Sequence, residues 1–213
     1  MKRPVEIAYD FIKQRILEGV YLPSQKLIEN NLADEIGVSR NTVKKALLKL
    51  EQENLVLLEN NKGATIKSFS LDEVKNLLKI REVLEGLIAA DAAENISDDD
   101  LMNLESVLSK MKEHLENANF DAYSASNIEF HNVIYNASKN RQAVEMVKII
   151  KQQLKRLHFK TILVPGRNES SFEEHLKILN ALKLRDADVA EKQVKRHVAN
   201  VLKTIVDNYN VLV

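Results

Sequence analysis

Residues 32–50, LADEIGVSRNTVKKALLKL, limit the possible folds of this chain more than any other segment. They predict a short helix that ends at Ile36, followed by a tight turn at Gly37, because glycine readily adopts the left-handed conformation of such turns. A second helix should begin after Ser39, whose hydroxyl can accept a hydrogen bond from a free helix amide. The segment therefore predicts two short helices joined by a sharp turn.

The second of these helices is amphipathic and basic. Its apolar residues recur at helical spacing and form a single stripe, which consists of Val43, Ala46, Leu47 and Leu50. Between residues 39 and 49 there are four basic residues and no acidic one. A helix-turn-helix that presents basic and amide side chains at the start of its second helix is suited to the major groove of DNA. The predicted DNA-contacting residues on this helix and its cap are Ser39, Arg40, Asn41, Thr42, Lys44 and Lys45.

A β-hairpin should follow. Two short apolar-rich segments, residues 55–58 and 64–67, flank the turn sequence NNKG, which is typical of hairpins. We interpret the hairpin as a wing that places Lys62 and Gly63 beside the duplex. A basic helix face is usually only solvated, but the turn, the amphipathic helix and the wing occur together in this order and favour DNA binding.

Composition narrows the class of protein. At 213 residues the chain is long enough for two modest domains, and the absence of cysteine excludes disulfides and thiolate metal sites. We find no secretory signal and no apolar run that could span a bilayer, so we expect a cytoplasmic protein without a membrane partner. Residues 1–70 contain 11 Lys+Arg and 9 Asp+Glu. The overall net charge is zero and by itself gives no sign of nucleic-acid binding.

The chain after residue 70 is predicted to be almost entirely helical, because it contains only two glycines and one proline. Capping residues and apolar spacing predict helices over residues 71–95, from 98 onward, and over 121–137, 141–163, 171–184 and 187–209. The expected fold is mostly α. A winged helix-turn-helix domain (residues 1–69) precedes an all-α antiparallel bundle of six or seven helices (residues 70–213).

At this level of detail the sequence resembles a known family. LADEIGVSRNTVKKALLKLEQENLV and NKGATI resemble the DNA-binding domain of GntR-type bacterial repressors. IREVLEGLIAADAA, NIEFHNVIYNASKN, SSFEEHLKILNALKLRDADVA and RHV resemble the FCD effector domain of the FadR-type branch. The resemblance implies a homodimeric repressor that binds a palindromic operator and responds to a small organic acid.

The recognition helix departs from the family pattern. The usual Thr-Pro-Val-Arg-Glu-Ala is NTVKKA here, and Lys44 replaces an arginine that would give two parallel hydrogen bonds. Arg40 matches a position of the family that contacts bases or phosphates, and Gly63 matches the wing-tip glycine. The operator sequence of the family is therefore not expected to apply unchanged.

Histidines form the second chemical signal. His131, His175 and His197 lie on the apolar faces of three predicted helices, which a bundle could bring together. Asn127 lies one turn before His131 on the same face. Imidazoles with one oxygen ligand suit zinc or a related divalent metal. A histidine on an inward face is more often a core residue than a ligand, so the residues alone leave both interpretations open.

The resemblance implies that these three histidines bind a metal, and it places Asn127 where the family usually has Asp. An amide oxygen can coordinate a metal but contributes no charge, so binding should be weaker. We expect zinc first, with nickel, manganese or iron as alternatives, because imidazole suits all of them.

Two arginines are candidates for binding the effector. Arg81 and Glu85 fit the Arg-x-x-x-Glu pattern of the family, which leaves two interpretations of equal weight. Arg81 could capture an effector carboxylate, or it could form a pair with Glu85 within the helix. Arg156 is a second candidate for the effector.

Two other functional classes were weighed. One is an architectural DNA-binding dimer that has no effector. The other is a metal-dependent enzyme, but no histidine has a glutamate three residues before it, as carboxylate-bridged metal pairs require. A phosphate-binding glycine-rich loop and a nucleophile motif are also missing from the sequence. We therefore expect a regulator and not an enzyme.

Overall fold

A computed structural model of the protein describes residues 2–59, 63–154, 161 and 164–209. The chain divides into two compact units, residues 1–70 and 71–213, and each unit has its own hydrophobic core. The described residues form nine helices and one small sheet. The expectation of a mostly α protein is confirmed.

The first unit is a winged helix-turn-helix. Its elements are α1 (Pro4–Leu17), β1 (Lys26–Leu27), α2 (Glu29–Ile36), α3 (Arg40–Gln52), β2 (Val56–Glu59) and β3 (Gly63–Ile66). The predicted hairpin is present, with Leu58 opposite Ala64. The antiparallel sheet has the order β1-β3-β2. Strand β1 was not predicted, because two residues are too few to show an alternating pattern.

The turn between α2 and α3 has the predicted geometry. Gly37 has a φ of +75°, and the Ser39 hydroxyl oxygen accepts a hydrogen bond from the Thr42 amide at 3.2 Å. The apolar stripe of α3 is fully buried, and α3 packs against α1, whose Ala8 and Ile12 are also buried. Because this stripe faces the core, the basic face of α3 is turned to solvent.

The second unit contains six helices within the described residues. They are α4 (Leu71–Asn95), α5 (Asp98–Glu116), α6 (Phe120–Ala137), α7 (Arg141–Gln153), α8 (Arg167–Lys183) and α9 (Ala187–Asp207). Two predicted boundaries are wrong. Helix α7 ends at Gln153, well before residue 163, although no glycine or proline marks its end. Helix α8 begins at Arg167, before Ser171, because Gly166 at a φ of +75° already forms its N-cap.

Helix α4 is the centre of the second unit. It packs along α9 and also contacts α6, α7 and α8. Its Asp91 accepts hydrogen bonds from the Ser138 hydroxyl at 2.6 Å and from the Asn140 amide at 3.2 Å, which fixes the corner between α6 and α7. No helix in the described parts of the chain has both the length and the apolar character that crossing a membrane requires.

Candidate metal centre and nucleic-acid interface

Three buried histidines from three helices meet in the core of the second unit. His131 comes from α6, His175 from α8 and His197 from α9, and each is at most 2% exposed. One ring nitrogen of each lies within 4.8 Å of the others, and the Nε2 atoms of His131 and His175 are 3.3 Å apart. Nitrogens at the corners of a zinc tetrahedron are about 3.4 Å apart. The cluster therefore has nearly the dimensions of a metal site.

Hydrogen bonds fix the orientation of two of these rings. Nδ1 of His175 donates to the Ser171 carbonyl at 2.5 Å, and Nδ1 of His197 donates to the Glu174 carboxylate at 2.7 Å. Neither acceptor has a proton of its own to donate, so Nδ1 must hold the proton in both rings. Nε2 of His175 and of His197 consequently carries the lone pair that a metal ligand needs.

Two of the candidate metal-ligand atoms have no hydrogen-bond partner among the described residues. They are Nε2 of His197 and Oδ1 of Asn127, and both are buried. An unpartnered buried polar atom costs about 1–3 kcal/mol. A cation bound to these lone pairs would remove that cost, so the residues fit a divalent metal of the kind that imidazole binds.

The histidines are uncharged at neutral pH. Burial, followed by the charge of His197, lowers the pKa of His175 to about 3. Burial also moves the pKa of His131 well below its usual range, helped by the charge of Lys151. Neutral imidazole is the form that binds metals, because protonation would occupy the lone pair.

Glu174 supports this cluster, and the sequence analysis missed it. Its carboxylate accepts hydrogen bonds from His197, from both terminal nitrogens of Arg167 at 3.2 and 2.9 Å, and from the Asn200 amide at 2.8 Å. Burial alone would raise the pKa of Glu174, but the His197 and Arg167 contacts lower it to about 2. The sequence offered no signal for this role, because Arg167 and Asn200 lie 7 and 26 residues away.

Arg81 and Glu85 form a buried ion pair one turn apart on α4, with side chains only 2% and 1% exposed. The intrahelical pair is therefore observed. Nη2 of Arg81 nevertheless has no partner among the described residues, so the capture of a carboxylate stays a prediction. Arg156, the second candidate, lies outside the described residues.

A second cation lies near this pair, and the sequence analysis did not identify it. The ammonium group of Lys151 donates a hydrogen bond to the Tyr135 hydroxyl at 3.2 Å. Burial lowers the pKa of Lys151 to about 8, and its charge acts on both Glu85 and His131. With Lys151 protonated, two cations face one carboxylate beside three neutral imidazoles. This region therefore has an excess of positive charge and would attract an anion.

Four of the predicted DNA-contacting residues line one groove of the first unit. Arg40, Asn41 and Lys44 line a groove of about 1100 Å³, and Gly63, at the start of β3, lines it too. Lys45 is exposed but does not line the groove. Lys62 lies outside the described residues.

Two of the predicted contacts belong to the helix cap, since the hydroxyls of Ser39 and Thr42 are 2.8 Å apart. Arg40 also has a partner that the sequence analysis did not foresee. Its Nε donates to a carboxylate oxygen of Glu29 at 2.6 Å. Glu29 is the first residue of α2 and also lines the groove.

Comparison with known proteins gives the family. Residues 4–66 match the family described as bacterial regulatory proteins, gntR family, and residues 76–200 match the FCD domain. The chain belongs to the GntR family of bacterial regulatory proteins. Its helical unit places it among the GntR regulators that have an FCD domain, as the sequence resemblance predicted.

Several transcriptional regulators are similar along most of the chain. The Uxu operon regulator of Haemophilus influenzae is 30% identical over 89% of this chain and 77% of its own length. The transcriptional repressor RspR of Escherichia coli is 23% identical over 92% of this chain and 86% of its own. The family and these relatives identify the protein as a DNA-binding transcriptional regulator and not an enzyme.

Solved structures share the fold. Escherichia coli McbR/YncC superposes with a TM-score of 0.73 at 24% identity, covering 100% of this chain and 98% of that one. A GntR regulator from Rhodococcus sp. RHA1 also gives a TM-score of 0.73, at 19% identity, over 95% of this chain and 97% of that one.

Proposed function

We propose that this GntR protein is a homodimeric repressor whose affinity for a palindromic operator is set by a small organic acid. The acid would bind in the helical unit beside a divalent metal, with zinc as the first candidate and nickel, manganese or iron as alternatives. Asn127, His131, His175 and His197 would hold the metal. The observation that carries the proposal is the convergence of three buried histidines beside Arg81 and the partly buried Lys151, whose charges exceed that of Glu85.

The basic face of α3 supports the DNA part of the proposal. Arg40, Asn41 and Lys44 are exposed side by side along the groove. Guanidinium and ammonium groups pair with guanine edges and phosphates, and amides pair with adenine edges. Base contacts from the first turns of α3, together with backbone contacts from the wing, would give sequence-specific binding.

The region of Arg81 and Lys151 supports an organic acid as the effector. A carboxylate placed there would meet the unpartnered Nη2 of Arg81 and would neutralise the excess positive charge. The metal would supply a Lewis-acidic point that binds a carboxylate or hydroxyl oxygen. An effector can regulate DNA binding only if it favours one of two global states over the other.

An exposed apolar surface supports the dimer. On α4, Ile80, Val83 and Leu87 recur at helical spacing and are exposed, and so are Met146 and Ile149 on the neighbouring helix α7. Contiguous exposed apolar side chains favour association. A second copy of the chain would cover them, and a two-fold dimer matches a palindromic site.

Metal content tests the central part of the proposal. We expect the purified wild-type protein to retain about one divalent transition metal per chain and His175→Ala to lose it, since one of the few ligands is gone. His114→Ala is the matched control, because His114 lies on α5 and is not part of the cluster. Elemental analysis after gel filtration measures both, and equal metal in the His175→Ala variant and the wild type would contradict the site.

The effector is tested by thermal shift with divalent metals and small carboxylic acids. A ligand that binds only the folded protein raises the melting temperature by mass action. If operator DNA binds but no metal or acid changes the melting temperature, the result favours the architectural alternative.

A further inference from the structure

Besides Tyr135, whose side chain hydrogen-bonds to it, Glu85 lies between two possible partners. Arg81, one turn earlier on α4, donates to Oε1 of Glu85 through its Nε atom. Nδ1 of His131, on α6, lies 3.7 Å from Oε2 of the same carboxylate, which is too long for a hydrogen bond. Glu85 therefore engages one neighbour fully and the other only through space.

Both partners of this ion pair are incompletely satisfied. Oε2 of Glu85 accepts no hydrogen bond and Nη2 of Arg81 donates none within the described residues, although both atoms are buried. Each side of the pair would gain from another partner: a donor for Oε2 and an anion for Nη2. Besides the Tyr135 hydroxyl, whose hydrogen bond to Glu85 helps to raise its own pKa, the available donor is Nδ1 of His131. Nδ1 carries the proton of the neutral ring once a metal binds Nε2.

The other two histidines show what such a contact does. His175 and His197 each have an acceptor at Nδ1, at 2.5 and 2.7 Å, which fixes the ring and leaves Nε2 free for a metal. A carboxylate or carbonyl in this position also makes the imidazole a stronger ligand. His131 would reach the same state if Glu85 moved toward it by about an ångström.

We propose that Glu85 couples the two ligands of the helical unit, so that a carboxylate bound to Arg81 strengthens metal binding at His131. A second anion at the guanidinium repels the Glu85 carboxylate, and Nδ1 of His131 offers it a new partner. The inference rests on the proposed function, because it presupposes a metal at the histidines and an acid at Arg81. The coupling is reciprocal, so the metal must raise the affinity for the acid by the same factor.

The experiment measures the zinc affinity of the full-length protein with and without acetate. Competition with a chromophoric chelator gives the dissociation constant for free Zn²⁺, and acetamide at matched ionic strength is the neutral control for acetate. We expect saturating acetate to tighten zinc binding by about fivefold or more, which is the low end of typical allosteric couplings. In Glu85→Gln the effect should fall to about twofold or less, because acetate does not repel a neutral amide.

Glu82→Gln is the matched control for this variant. Glu82 lies on the same helix and is not buried, and the substitution removes the same charge. We expect it to keep the full acetate effect. If it loses the effect as Glu85→Gln does, the net charge of α4 is responsible and the role of Glu85 is wrong.

The remaining outcomes separate the inference from the proposed function. A wild-type protein that binds no metal contradicts the proposed metal site, and the coupling with it. Zinc binding without an acetate effect overturns the coupling alone. An equal acetate effect in the wild type and in Glu85→Gln also overturns it, because acetate then acts on the metal directly.

If Glu85→Gln does not fold, an NMR measurement on the wild-type protein still tests the proposed coupling. In zinc-loaded protein labelled with ¹⁵N-histidine, one of the three Nδ1–H signals of the cluster should move downfield with acetate and stay in place with acetamide. Three unmoved signals would overturn the proposal.

Discussion

At the scale of single residues, Arg40 is exposed to solvent, and a group on DNA could replace its ion-pair partner. Its guanidinium group is solvent-exposed on the first turn of α3 and pairs with Glu29. An exposed pair of this kind contributes only about 0–1 kcal/mol, so it gives way readily to a base edge or a phosphate. Glu29 therefore holds Arg40 along the groove without competing strongly with DNA.

Arg40→Ala should weaken operator binding by about 1–3 kcal/mol and relax sequence preference, if Arg40 contacts a base edge. Fluorescence anisotropy on selected and random duplexes at fixed salt measures both effects. Lys49→Ala is the control, because Lys49 lies on the same helix but over the ring of Tyr9. A variant that binds both duplexes as the wild type does would contradict the assigned role of Arg40.

Acid should destabilise the metal-free protein as the pH falls below 6.5. His175 has an ordinary pKa of 6.5 when unfolded and about 3 when folded, so unfolding takes up a proton between these values. The free energy of unfolding then falls by at most about 1.4 kcal/mol per pH unit for each such histidine. Urea denaturation of chelator-treated protein from about pH 7 to pH 5 measures this slope.

Carboxylates contribute little to the change in the free energy of unfolding between about pH 7 and pH 5. The pKa of Glu174 is 4.5 when unfolded and about 2 when folded, so its stabilising effect is lost only below pH 4.5. A flat stability curve between about pH 6.5 and pH 5 would show that the histidines are not buried in their neutral form.

The sequence revealed the histidines but not the residues that orient them. His131, His175 and His197 stood out because each is a titratable residue at an apolar helical position. Glu174 and Lys151 look like ordinary surface charges in the sequence, and their roles depend on which helices meet. Local periodicity does not show which distant helices pack together, so it could not reveal these roles.

At the scale of elements, the turn between α2 and α3 sets the direction of the DNA-facing helix. Gly37 ends α2 in the left-handed conformation, and no atom of the described residues lies within 4 Å of the position that a Cβ atom would take there. The requirement for glycine is thus one of backbone conformation and not of space. The sequence could predict this turn because glycine and the Ser39 cap are local signals.

Gly37→Ala should destabilise the first unit by about 1–2 kcal/mol, the cost of a Cβ atom in the left-handed conformation. Gly37→Asn should cost less, because asparagine tolerates this conformation better. Hydrogen exchange of the α2 and α3 amides, followed by mass spectrometry, measures the change. Equal protection in wild type and alanine variant would show that the turn can adopt another conformation.

Element boundaries were harder to predict than element types. Helix α8 begins at Arg167, after Gly166 at a positive φ, while the sequence prediction began this helix at Ser171. The Ser171 carbonyl has a different role, as the acceptor for His175. Local sequence rules allow more than one residue in this segment to begin the helix. The start that is observed depends on how the helix packs.

At the scale of the whole molecule, the proposed dimer would depend on the apolar surface of α4 and α7. Substituting Val83, which is 60% exposed, removes no core contact, yet a charge there would have to be buried in the proposed dimer.

Val83→Glu should shift the protein from dimer to monomer. Met102→Glu is the control, since Met102 is also 60% exposed but lies on α5. Sedimentation velocity at micromolar concentration measures the state, and a dimeric Val83→Glu variant would place the interface elsewhere.

The fixed orientation of the His175 and His197 rings also affects how the protein would take up a metal ion in the cell. Hydrogen bonds to neighbouring groups of the chain fix the orientation of these two rings, so two of the three proposed ligands would be in position before a metal ion binds. Loading then needs no rearrangement of the bundle, and stripping with a chelator should leave the helices intact. The concentration of free metal ions would then decide what fraction of the proposed sites is occupied.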